Sequence, residues 1–250
     1  MGVAAVCIAQ IKGKMMPDVK AILLVGGMGS RLSSVISSKP KVLAPIGERS
    51  FLELLIRQLR LQGIRNLVMC TGYLANQIET KFGDGRNWDV SIEYSEEEEP
   101  LGTAGALKLA QHYVDDIPEF VVLNGDSFLE INFHDLMSFH KSNGRAIATM
   151  AVLRVEDASR YGTVYVDATG RISGFAEKTN ANGPGLVNGG IYVFSRTVWP
   201  YIPQGPASLE KDVFPRLVDQ GMYAREQDGK FIDIGIPSDY IRAQELLRFS

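Results

Sequence analysis

The chain has 250 residues, 45% of them hydrophobic and 22% charged, and a net charge of −3. That is enough for one large domain with a substantial core, and the weak negative charge gives no footprint for nucleic acid. The two cysteines, Cys7 and Cys70, build neither a disulfide framework nor a zinc-type spacing, so a reduced, cytoplasmic setting is expected.

Val3 to Ile11 is apolar but too short to span a bilayer. It lacks a basic flank and a small-residue cleavage site, so it does not read as a signal peptide. Residues 1–19 are expected to be an extension outside the fold, with a short helix packed on a partner as the alternative. Residues 20–250 are expected to form one domain, with a first half over 20–130 and a second over 131–250. No membrane partner is expected.

From Lys20 onward, strand-like and helix-like runs alternate. Lys20–Val25, Ile64–Cys70, Val90–Tyr94 and Glu119–Leu123 read as strands. Phe51–Gln62, Ala75–Phe82 and Gly102–Tyr113 read as helices. Ser50 and Glu53 have the spacing of a capping box, and Phe51, Leu52, Leu55 and Leu59 form its core stripe. This rhythm predicts an α/β fold with a doubly wound, mostly parallel sheet. In such a sheet the ligand crevice lies at the carboxyl ends of the strands. Beyond residue 140 the sequence is richer in strands: Ala146–Leu153, Gly162–Val166, Arg171–Glu177, Gly190–Phe194, Tyr223–Gln227 and Phe231–Ile234. Leu209–Asp219 reads as a helix interrupted by Pro215, and Ser238–Arg248 as a closing helix. Glu96–Glu99 reads as a solvated loop, and His112, His134 and His140 as solvated helix faces.

The most informative stretch is Ala21-Ile-Leu-Leu-Val-Gly-Gly-Met-Gly-Ser-Arg-Leu32, followed by Pro40 and Lys41. A strand runs into a glycine turn, where backbone N–H groups can form an anion nest. A P-loop would end in Gly-Lys-Ser/Thr, and here Gly29-Ser30-Arg31 stands instead. A dinucleotide fingerprint would need a third glycine where Leu32 stands, and no acidic residue follows about twenty positions on at a strand end. An ordinary tight turn would account for the glycines alone. Arg31 and Lys41 add charge that such a turn does not need. Asp126, after the strand ending at Leu123, suits a metal site or plain turn chemistry. Asp233 lies between two isoleucines, where an unpartnered charge would be costly. Glu177-Lys178, on its own, reads as a surface pair.

Taken in order, these segments resemble the sugar-1-phosphate nucleotidylyltransferases, also called nucleotide-sugar pyrophosphorylases. The resemblance rests on Leu24–Leu32 with Lys39–Ile46, Gly72–Ile78, Pro100–Gly105, Leu123–Asp126, Tyr161-Gly162, Glu177-Lys178, Asn188–Gly190 and Ile232–Gly235. Within that family the chain is most similar to the D-glycero-α-D-manno-heptose 1-phosphate guanylyltransferases, with the mannose-1-phosphate guanylyltransferases as nearest rivals. It departs from many members in having Ser30 and Val42 where threonine and proline are usual, and both departures keep the charged groups.

The resemblance implies a Rossmann-like nucleotidyltransferase fold with a strand-rich, sugar-binding second half. It also implies transfer of a nucleotidyl group, GMP from GTP by preference, to a sugar 1-phosphate with release of pyrophosphate. Arg31, Lys41 and Asp126 would be catalytic. Leu24, Gly26, Gly27, Gly29, Ser30, Gln77, Gly102 and Thr103 would bind the nucleotide. Tyr161, Gly162, Glu177, Lys178, Asn188 and Gly189 would bind the sugar phosphate. Mg²⁺ would be the cofactor, held by Asp126 and Asp233. The expected partners are these small molecules and, through the second half, a further copy of the chain. A non-catalytic nucleotide-sugar-binding subunit on the same fold is the alternative.

Overall fold

A computed structural model of the chain describes residues 16, 19–27, 39–176 and 183–248. Gly29, Ser30, Arg31, Glu177 and Lys178 lie outside the described residues, as does most of the 1–19 segment. Within that segment, Met16 and Val19 are described. Both pack on the core, and Met16 N donates to Gly63 O. Their apolar side chains have more to gain from the core than from water.

The first half supplies β1 (Lys20–Leu24), a short hairpin of β2 (Pro45–Ile46) and β3 (Arg49–Ser50), α1 (Phe51–Leu61), β4 (Asn66–Thr71), α2 (Ala75–Phe82), β5 (Ser91–Glu96), α3 (Gly102–Leu109) and β6 (Glu119–Asn124). The second supplies β7 (Ser127–Leu129), α4 (Phe133–Ser142), β8 (Ala148–Val155), β9 (Thr163–Val166), β10 (Ile172–Ala176), β11 (Gly185–Ser195), α5 (Phe214–Gly221), β12 (Met222–Glu226), β13 (Phe231–Asp233) and α6 (Pro237–Leu246). Among the described residues no helix is long and apolar enough to cross a membrane.

One nine-stranded sheet runs in the order β10-β9-β11-β6-β1-β4-β5, with β8 pairing β11 and β12 pairing β8. β6, β1, β4 and β5 are parallel neighbours, as the doubly wound reading requires. β11 then joins β6 antiparallel, Ile191 opposite Leu123, and opens the strand-rich half. β7 and β13 form a separate antiparallel ribbon with Ser127 opposite Asp233.

Successive residues of a strand point to opposite faces, and the core divides accordingly. Ala21 and Leu23 pack with Phe51, Leu52, Leu55 and Leu59 of α1, all fully buried, and with Phe133 and Leu136 of α4. Ile22, Val68 and Val122 face the other way, toward Leu107 of α3 and a group of rings from Phe120, Tyr192, Phe194 and Phe214. Each such side chain contributes about 1.5–3 kcal/mol by leaving water.

The expected capping box is absent. Ser50 is the N-cap of α1 in extended conformation, but its side chain makes no cap hydrogen bond. Glu53 is drawn instead to Lys81 at the end of α2, Nζ to Oε1 2.5 Å, a charged partner that outcompetes the backbone N–H.

His140 is likewise not solvated; it is 2% exposed. Ser195 Oγ donates to Ala146 O, so His140 Nε2 donates to Ser195 Oγ and Nδ1 accepts from the Thr149 hydroxyl. Burial, then the charge of Lys141, pushes its pKa from 6.5 down to about 4. Between those values the unfolded chain takes up a proton that the folded chain refuses. The stability from neutral His140 is therefore complete above pH 6.5 and drains away as pH falls toward 4. We expect this residue alone to steepen the loss of unfolding free energy by up to about 1.4 kcal/mol per pH unit in that window. Denaturant titrations of wild type and His140→Gln at pH 7.5 and 5.0 measure it, and parallel slopes would refute it.

Candidate active site

The site lies at the carboxyl ends of the parallel strands, where their helix connections leave the sheet. Leu24 ends β1 beside Asn124, which ends β6. Val25 N then pairs with Cys70 O, and Gly125 N with Leu24 O at 2.9 Å. The two chain exits are thus stitched together, and Asp126 emerges next to the start of the glycine turn. Gly26 O accepts from Tyr73 N at 3.4 Å, and Gly27 is exposed with open space above it.

Lys41 opens a short 3₁₀ turn after Pro40, whose ring fixes the entry conformation. Val42 and Leu43 anchor that turn in the core. The lysine crosses to Asp126, Nζ to Oδ2 2.7 Å; its side chain is 11% exposed and that of the aspartate 40%. Asp233 arrives on β13. Ile234 N donates to Asp126 O at 2.9 Å, which sets the two aspartates side by side. Gly235 N donates to Asp233 Oδ1 at 2.6 Å. Burial, then the Asp126 charge, lifts the Asp233 pKa to about 6 against the opposing pull of Lys41. Two carboxylates and one ammonium leave a deficit of positive charge. A hard divalent cation would meet that deficit, with phosphate oxygens and water completing its shell. Among the described residues no third metal-binding side chain joins them.

One flank of the site is built from β4, β5 and α3. Glu97 is the residue that sequence reasoning missed, because it stands in an acidic run. Its N–H extends the β5 ladder to Thr71 O, its Oε2 accepts from Leu101 N at 3.1 Å, and its side chain lies against Gly26 and Gly72. A methyl group on Gly72 would stand 2.8 Å from Oε1, so glycine is required for that approach. Burial raises the Glu97 pKa, with the Leu101 N–H acting against it. The loop opening α3 is held by the chain before α5: Ala104 N and Gly105 N donate to Ala207 O, and Ala207 N to Leu101 O. Thr103 Oγ1 donates to Glu210 Oε2 at 3.2 Å and accepts from Leu209 N at 2.8 Å. Gly102 lies within this clasp, and the Thr103 side chain is engaged by it. Gln77 is half-buried on α2, beyond the β4 exit.

The other flank lies across β11. Gly190 has φ +74, and a Cβ there would stand 2.9 Å from that of Ser127, so this glycine lets β11 pass under the Asp126 turn. Gly189 is buried against Leu129 and Ala151. Asn188 Oδ1 accepts from Gly190 N and its Nδ2 donates to Tyr192 OH, both at 2.8 Å, which leaves one amide hydrogen for a ligand. Tyr161 packs edge-on against Phe231, centroids 5.7 Å apart. Burial, followed by the charge of Asp239, raises its phenol pKa, with Asp233 adding to the effect. Gly162 adjoins Ala176, the last residue of β10. The structure therefore brings Leu24, Gly26, Lys41, Asp126 and Asp233 together, with Tyr161 on the Asp233 side.

The start of the glycine turn thus lies beside a lysine and two aspartates, all at one end of a doubly wound sheet. The chain belongs to the nucleotidyl transferase family, whose model matches residues 20–249. Among particular relatives, it is 37% identical to the D-glycero-alpha-D-manno-heptose 1-phosphate guanylyltransferase of Aneurinibacillus thermoaerophilus, over 92% of this chain and 98% of that one. It is 36% identical to the mannose-1-phosphate guanylyltransferase catalytic subunit beta of Danio rerio, over 89% of this chain. The chain spans 62% of the length of that subunit. In structure it resembles HddC from Yersinia pseudotuberculosis, solved in complex with GMP-PN. The TM-score is 0.81 at 30% identity, over 93% of this chain and 100% of that one.

Proposed function

We propose that the chain transfers GMP from GTP to a sugar 1-phosphate, with D-glycero-α-D-manno-heptose 1-phosphate as the favoured acceptor, and releases pyrophosphate. The observation that carries this is the Lys41–Asp126 pair at 2.7 Å beside half-buried Asp233. The acceptor phosphate has a second pKa of about 6, so it is ionised at pH 7 and needs no general base. The chemical demand is to bring two polyanions together, and fixed charges meet that demand. The near-complete coverage of the heptose enzyme, against 62% of the mannose subunit, favours the heptose acceptor.

In this reading Gly26, Gly27 and Gly29 offer backbone N–H groups to the triphosphate. Arg31 holds the β- and γ-phosphates, and Lys41 meets the α-phosphate. Asp126 and Asp233 hold Mg²⁺, which supplies charge neutralisation on the phosphate oxygens. Lys178 takes the acceptor phosphate, while Tyr161, Gly162, Glu177 and Asn188 face the sugar. The reaction is placed in the cytoplasm, where GTP is supplied.

Glu97 gives the guanine preference a physical basis. A carboxylate accepts from the N1–H and 2-amino group of guanine, whereas adenine presents no such donor pair. We expect Glu97→Gln to raise KM for GTP by about tenfold or more, the worth of a charged hydrogen bond, and to narrow the GTP-to-ATP preference. An unchanged preference would remove Glu97 from base reading. The reaction itself is tested by pyrophosphate release across four nucleoside triphosphates and several sugar 1-phosphates, with and without Mg²⁺. Release is expected only with all three components present. Nucleotide-sugar binding without any turnover would instead favour a regulatory subunit.

A further inference from the structure

The loop carrying Tyr161 and Gly162 is joined to the helix behind Asp233 through one buried carboxylate. Asp239 lies in the first turn of α6, three residues after its N-cap Ile236, and is 4% exposed. An acidic residue there suits the helix dipole, and that alone would explain an exposed aspartate. It does not explain a buried one whose two oxygens both meet guanidinium groups. Oδ2 accepts from Arg160 Nη2 at 2.5 Å, and Oδ1 from Arg242 Nη1 at 3.3 Å. Arg242 is a neighbour on the same helix. Arg160 comes from the far side of the chain, immediately before Tyr161.

The loop is therefore held at two adjacent points. One is apolar, the ring of Tyr161 against Phe231. The other is ionic, Arg160 on Asp239. Both anchors belong to the single run of chain, β13 to α6, that also carries Asp233. One anchor would leave the loop free to pivot, and two fix its orientation relative to that aspartate. The loop makes local bonds as well, Tyr161 N to Ala158 O and Ala158 N to Gly183 O, but these do not reach the Asp233 strand.

We infer that Asp239 is a positioning residue, which through Arg160 sets the Tyr161–Gly162 loop against the Asp233 strand and so shapes the acceptor side of the site. It touches no reacting atom. The inference rests on the acceptor role proposed above for that loop. Because the donor side is built from β1, β4, β5 and α3, loss of the link should fall on the acceptor and spare the nucleotide.

Asp239→Asn, Arg160→Gln and the double variant test this in two ways. Hydrogen exchange of the substrate-free protein should speed up over residues 157–163 by about tenfold in each single variant, with the sheet amides unchanged. KM for the sugar 1-phosphate should rise by about tenfold and KM for GTP by less than about twofold, with the double variant no worse than either single one. Arg160→Lys should recover part of the acceptor KM, since it restores a charge without the fork. Unchanged exchange in that loop, or equal effects on both KM values, would overturn the inference. If wild type releases no pyrophosphate with any substrate pair while the loop exchange behaves as stated, the proposed reaction fails and the Asp239 link stands.

Discussion

Lys41→Ala is expected to lower kcat/KM for nucleotidyl transfer by about a hundredfold or more, and Asp126→Ala to do the same, as when a preorganised charge is removed from a site. The lysine is held almost out of water on a rigid 3₁₀ turn and aimed by Asp126. Its charge is therefore in place before substrate arrives, and no reorganisation is needed. Without it Asp126 and Asp233 face the polyphosphate with no described ammonium between them. Lys20→Ala serves as the control. That lysine, at the end of β1 opposite the glycine turn, pairs with Glu93 of β5 across β4, and its loss should leave turnover near wild type. Steady-state pyrophosphate release decides the matter. Wild-type rates in Lys41→Ala would remove the lysine from the mechanism.

Phe120→Ala should destabilise the fold by about 3–5 kcal/mol, the usual cost of emptying a buried aromatic position. Phe120 is fully buried on β6. It stacks on Trp199 at 5.3 Å between centroids and 10° between planes, and meets Phe194 at 6.0 Å. Trp199 is itself fixed by Lys108, whose Nζ donates to its carbonyl and lies 5.6 Å from its ring. A cavity there has rigid walls on two sides and little means of collapsing. Denaturant unfolding would show the loss as a lower midpoint with an unchanged slope. A change under about 1 kcal/mol would mean that the ring stack relaxes to fill the space.

Much of this was legible in the sequence, for identifiable reasons. Ala75–Phe82 has the same bounds in sequence and structure, because Gly83 stops it and three apolar positions set its face. Asp126 and the glycine turn stand out because each follows an unbroken apolar run, Phe120–Leu123 and Ala21–Val25. What stayed hidden lacked such contrast. β7 is three residues long, too short for a period to show. Glu97 was masked by the three acidic neighbours around it, although its place at the end of β5 matches that of Asp126 at the end of β6. His140 continues the spacing of Phe133, Leu136 and Met137, so the helical period alone would have placed it on the buried face of α4. Ser50 and Glu53 show the opposite error: a local pattern was present, but Lys81, distant in sequence, took the glutamate.

The placement of β6 has a consequence for how such a chain can diversify. It is paired on one side by β1 and on the other by β11, so the strand that delivers Asp126 belongs equally to the first and second halves of the chain. The clasp of Thr103 on Glu210 closes a second seam between them. Severing the chain after residue 130 would strip β11 from β6 and bare a long apolar strand edge on each piece, an invitation to aggregate. Exchange of whole halves between relatives is therefore a poor route to new sugar specificity. Change in the loops around 156–162 and 205–210, which lie beside the Asp233 strand and the start of α3 without interrupting the sheet, is the route this architecture leaves open.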